Sequence, residues 1–75
     1  MPSNEKSTFN REYFTEQIDA VVGTYSSQMD RRTKFAKLVA EMADLDSPPS
    51  YKTIQNHETG KFVPSADMAG NYAKT

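Results

Sequence analysis

The chain has no cysteine, no tryptophan, one histidine and three glycines among its 75 residues. Without cysteine there is no disulfide scaffold and no thiol chemistry. One histidine and no cysteine exclude the usual structural zinc sets. No apolar run approaches the roughly 18 residues that a membrane span requires. The first thirty residues lack a basic stretch followed by an apolar core, so no signal peptide is expected. Pro2 stands where N-myristoylation needs glycine. These absences lead to the expectation of a soluble cytoplasmic protein without membrane association. Its length allows one small domain. A core of that size yields only on the order of a few kcal/mol of net stability, so a partner would help it.

Catalytic equipment is missing too. There is no Gly-rich phosphate loop, and His57 has no assignable Ser or Asp partner. No enzymatic activity, cofactor, metal or small-molecule ligand is expected. Asp44 and Asp46 open a stretch that begins like a calcium loop. Pro49 stands where that loop needs glycine and Gln55 where it needs a bidentate glutamate, so the loop is rejected.

The charge is unevenly spread, although the net value is only −1. Residues 1–30 carry Lys6 and Arg11 against Glu5, Glu12, Glu16, Asp19 and Asp30, for −3. Residues 31–64 carry Arg31, Arg32, Lys34, Lys37, Lys52 and Lys61 against Glu41, Asp44, Asp46 and Glu58, for +2. The basic charge is confined to the middle of the chain, which bears more on partner choice than the sum does.

Apolar spacing predicts an all-α protein of four short helices. Residues 1–8 are polar, and the segment 1–9 is expected to be disordered, with one domain over 10–75. Asn10 caps a first helix whose buried stripe is Phe14, Ile18, Val21, Val22 and Tyr25. Asp30 is the expected N-cap of a second helix, with Phe35, Leu38, Val39 and Met42 on its apolar face and an end near Ala43 or Asp44. Pro48 and Pro49 make 44–50 a turn, with Leu45 tucked beneath it. Ser50 caps a third helix through about Thr59, and Gly60 is its left-handed terminator. Ser65 caps a fourth, buried through Met68, Ala69 and Tyr72. The helical pattern is still running at Thr75, which leaves room for a fifth helix.

The stretch Glu58-x-Gly60-Lys61-x-x-Pro64-Ser65, after a short helix containing Ile54, carries a resemblance. It resembles the corner after the recognition helix in the Cro/phage-repressor (XRE-like) helix-turn-helix family. The likeness covers about 30–75, is strongest over 50–65, and puts the helix-turn-helix at about 30–60. The turn 44–50 is longer than the family's, and His57 replaces a usual apolar residue. The resemblance implies a lambda-repressor-like bundle that binds double-stranded DNA. It further implies a homodimer on a palindromic operator in a bacterial or phage transcription regulator, with repression the expected sense.

Within the third helix, Ile54 should face inward, with Tyr51 and Glu58 on or near its face. Lys52, Gln55, Asn56 and Thr59 then share the outward face, with Thr53 beside them. Lys52, Thr53, Gln55 and Asn56 are the expected base contacts, because Gln and Asn pair bidentately with adenine and Lys reaches guanine. Arg31, Arg32, Lys34, Lys37, Ser50, Tyr51, Thr59 and Lys61 are the expected phosphate contacts. His57 is expected to be a partly buried packing residue. An alternative is a helical protein-interaction module, of antitoxin or anti-repressor type, without DNA activity. The acidic first helix, the negative total charge and the long turn favour it.

Overall fold

The computed structural model describes residues 9–75. The expected disorder of residues 1–8 lies outside them. Phe9, assigned to the same segment, instead packs against the core, its ring 5.1 Å from that of Phe14. The described residues form four helices and no strand: α1 Arg11–Val22, α2 Gln28–Met42, α3 Tyr51–Thr59 and α4 Ala66–Ala73. This is an all-α bundle, as the apolar spacing requires.

Each helix begins at a side-chain cap. The side chains of Asn10, Ser50 and Ser65 accept from Tyr13 N, Thr53 N and Met68 N, which satisfies amide donors the helix cannot. The start of α2 differs from expectation. Its N-cap is Ser27, not Asp30, and Ser27 Oγ accepts from Asp30 N. Asp30 sits one turn inside and reaches back to accept from Ser26 N at 2.9 Å. The added turn carries Arg31 and Arg32 away from the exposed helix start and into the body of the bundle.

The core consists of Phe14, Ile18, Phe35, Ala36, Val39, Ile54 and Tyr72. Phe14, Phe35 and Tyr72 form an aromatic cluster with ring centroids 4.6–5.9 Å apart, where edge and tilted contacts add to burial. Two expected core members are exposed instead. Tyr25 is exposed, because Gly23 at φ 81° ends α1 at Val22 and breaks the stripe. Met42 lies in the last turn of the longest helix and is 57% exposed. Leu45 does pack under the turn. Asp44 at φ 60° ends α2, with Leu45 N donating to Ala40 O and Asp44 N to Glu41 O. That pair of bonds is a Schellman motif built on an aspartate.

Gly60 has φ 87° and terminates α3 as expected. It also has a neighbour: a Cβ there would lie 2.6 Å from Arg11 Nη1. Gly60→Ala therefore meets both left-handed strain and a steric clash. It should cost at least about 1–2 kcal/mol, read as a lower urea midpoint at unchanged slope.

Candidate nucleic-acid interface

α3 is short and polar, so its position depends on what holds it. Ile54 is fully buried and His57 is 8% exposed. At about 100° per residue, Glu58 shares this inward side. Three polar attachments then lock the helix in place.

The first is ionic. Glu58, with 9% of its side chain exposed, takes a bidentate fork from Arg31: Nη1 to Oε1 and Nη2 to Oε2, both 2.8 Å. Arg32 Nε donates to Oε1 at 3.0 Å, and Thr15 Oγ1 to Oε2 at 2.9 Å. The rest of the Arg31 guanidinium is used as well. Nε donates to Asp19 Oδ1 at 2.7 Å, Nη2 to Thr15 O at 3.2 Å and Nη1 to Gln28 Oε1 at 3.3 Å. Arg31 is only 2% exposed. The cluster ties α1, α2 and α3 together, and among the described residues no fully buried side-chain N or O lacks a partner. Burial pushes the Glu58 carboxyl up, but hydrogen bonds from Arg31, Arg32 and Thr15 outweigh it and hold it below its ordinary 4.5. Hydrogen bonding to Glu58 makes Arg31 hold its proton more tightly than usual.

The second attachment is His57 Nδ1, 2.6 Å from Tyr72 Oη on α4. Burial lowers the His57 pKa from its ordinary 6.5 and raises that of Tyr72. The third is Arg11, whose Nη1 donates to Thr59 O at 2.8 Å. A cation thus sits on the free carbonyls of the α3 C-terminus, where the helix dipole favours it.

These contacts correct part of the expected interface. Arg31 is an internal tie and has no surface to offer a phosphate. Arg32 is spent on Glu58, with 15% of its side chain exposed. Lys34 is exposed but pairs with Asp30 at 3.2 Å and donates to Thr24 O. Thr53 is half-buried beside Ser50, the two hydroxyls 3.1 Å apart, so its side chain belongs to the cap. Thr59 Oγ1 donates to Gln55 O at 2.9 Å.

The other expected residues remain on the surface. Lys37, Ser50, Lys52, Thr59 and Lys61 are exposed, and Tyr51, Gln55 and Asn56 are half-buried. Lys52, Thr59 and Asn56 lie opposite the buried side, flanked by Gln55. Between Ser50 and Val63 the one carboxylate is Glu58, already neutralised by two arginines. The outward side of α3 therefore carries Lys52, with Lys61 just past the helix end, and neither meets an opposing exposed acid from its own segment. Among the described residues, no helix is long and apolar enough to cross a membrane. No family model matches the chain, and neither the curated proteins nor the solved structures searched give a match.

Arg11, Thr15 and Asp19 were missed as positioning residues. Their contacts to α3 and Arg31 span 48, 43 and 12 residues, and no local spacing signals them. The Tyr72 partner of His57 was missed for the same reason.

Glu58→Gln leaves buried Arg31 with Asp19 as its remaining counter-charge and should cost about 3 kcal/mol, a large share of the stability of a domain this small. Loss of helical circular dichroism at 25 °C would show it. The pH dependence has a defined sign. His57 and Glu58 both have lowered pKa values in the fold, so the unfolded chain binds more protons as pH falls. Stability should decline on acidification from about pH 6.5 through His57, and again below about 4.5 through Glu58. Urea midpoints against pH measure both steps, and His57→Gln should abolish the upper one alone.

Proposed function

We propose that this chain binds double-stranded DNA with sequence preference, inserting α3 into the major groove, and acts as a cytoplasmic regulator of transcription. Repression is the simplest mode for a domain that occupies its site. The observation that carries the reading is the outward side of α3. Lys52, Gln55 and Asn56 present hydrogen-bonding head groups with no partner among the described residues. The helix bearing them is fixed at its start by Ser50, at its end by Arg11 and along its inner side by Glu58 and His57. A reading helix has to be held rigidly, because a poorly placed head group forfeits a bidentate contact.

The phosphate grip in this proposal is modest. Lys61, Lys37, Thr59 and Ser50 supply it, with Tyr51 beside the α3 start, and Arg31, Arg32 and Lys34 do not. A small grip suits a domain that gains avidity from a second copy, and the resemblance over 30–75 adds a homodimer on a palindromic operator.

A second reading rests on a different observation. An apolar groove of about 220 Å³ lies between α1 and α4, lined by Phe9, Tyr13, Phe14, Ala69, Tyr72 and Ala73, and Tyr13 at its side is 66% exposed. A protein-interaction module would use this face and leave α3 idle.

Fluorescence anisotropy with a labelled random-sequence duplex at low and at physiological salt separates the two. DNA binding predicts saturable retention that weakens as salt rises. Lys37→Ala and Lys61→Ala should each flatten the slope of log K against log salt by about 0.9. An unchanged anisotropy at low salt sinks the DNA reading and leaves the α1–α4 groove as the functional face.

A further inference from the structure

α3 bears four expected base contacts, and the structure divides them. Thr53 is taken up by the Ser50 cap, their hydroxyls 3.1 Å apart. Gln55 carries a competent amide but lies between Lys52 and the inward-facing Glu58 at helical spacing. That leaves Lys52 and Asn56, four residues apart, opposite the buried pair of Ile54 and His57. Neither head group has a hydrogen-bond partner among the described residues.

We propose that Lys52 and Asn56 form a two-residue reading pair that selects a guanine and an adenine within about two base-pair steps of each other. The inference rests on the DNA reading above and gives it a sequence. Its basis is the match of donors to acceptors. A lysine ammonium only donates, and guanine alone offers two adjacent acceptors, N7 and O6, in the major groove. An asparagine amide donates once and accepts once, the complement of adenine N7 and N6. The spacing agrees. Four residues of helix advance about 6 Å, and stacked bases are about 3.4 Å apart, so both side chains address one short run of bases. Lys52 is exposed and long. Asn56 is half-buried and short, so its amide reaches only a base close to the helix, which sharpens its selectivity. The Glu58 lock beneath keeps that reach constant.

The test is selection from a randomised duplex library with the full chain, followed by affinity measurement on the enriched site and on random duplex. The wild type should enrich sites with guanine and adenine within two steps, and replacing either base should weaken binding by about 5- to 150-fold. Asn56→Ala should erase the adenine preference and keep the guanine. Lys52→Ala should do the reverse. Asn56→Asp is the decisive variant, because its carboxylate only accepts and should move the preference from adenine to cytosine, whose N4 amino group donates. A lost packing contact would not produce that switch. Circular dichroism of each variant controls for folding. Enrichment of one unchanged sequence by wild type and all three variants overturns the pair while DNA binding stands. No retention of any duplex by the wild type at low salt overturns the pair together with the DNA reading.

Discussion

The buried fork between Arg31 and Glu58 is the contact on which the arrangement depends. α3 has nine residues, too few to be stable alone, and it buries little apolar surface beyond Ile54. Hydrophobic packing by itself would leave its rotation about its own axis loosely set. The fork sets it, because a bidentate guanidinium–carboxylate pair is directional where apolar contact is not. Such a pair does not have to add net stability to be useful. Its desolvation offsets much of the attraction, and what remains is a single orientation of the helix.

The same contact explains why the cationic half of the chain is less available than its composition suggests. Of the six basic residues between 31 and 64, Arg31 and Arg32 are consumed in neutralising Glu58 and Lys34 pairs with Asp30. Lys37, Lys52 and Lys61 are left to act on a partner. The reduction falls on α2 and spares α3: Lys52 lies on the helix with the unpartnered amides and Lys61 just past its end, while Lys37 stays on α2. The acidic character of α1 is also partly internal. Asp19 lies against Arg31, so the first helix is less of an acidic surface than its sequence implies. That weakens one argument for a partner binder, while the α1–α4 groove supplies that reading with a new one.

The legible parts of this fold were those coded locally. Three of four N-caps, the left-handed Gly60, the turn under Leu45 and the inward faces of α3 and α4 follow from residue type and spacing over a few positions. The differences from expectation have local causes. Ser27-x-x-Asp30 is a helix-start pattern in its own right, and it sets the start of α2 a turn before Asp30. Gly23 is the stop of α1, so Tyr25 beyond it cannot join the stripe its spacing suggests. The contacts that position the site were not legible at all. Arg11 against Thr59, Thr15 against Glu58 and His57 against Tyr72 join residues distant in sequence, and only the packing of the bundle brings them together.

Arg31 shows why composition alone misled about the site. An arginine next to another arginine at an expected helix start looks like a phosphate contact, and an exposed one there would oppose the helix dipole. In the structure that penalty does not arise. The Ser27 cap places Arg31 inside the helix, Asp30 occupies the first turn, and the guanidinium turns inward to carboxylates on two other helices. One cap position therefore decides whether a charge serves the surface or the interior. For this chain it moves the weight of any recognition from α2 onto the face of α3, where Lys52 and Asn56 stand on a helix fixed from below.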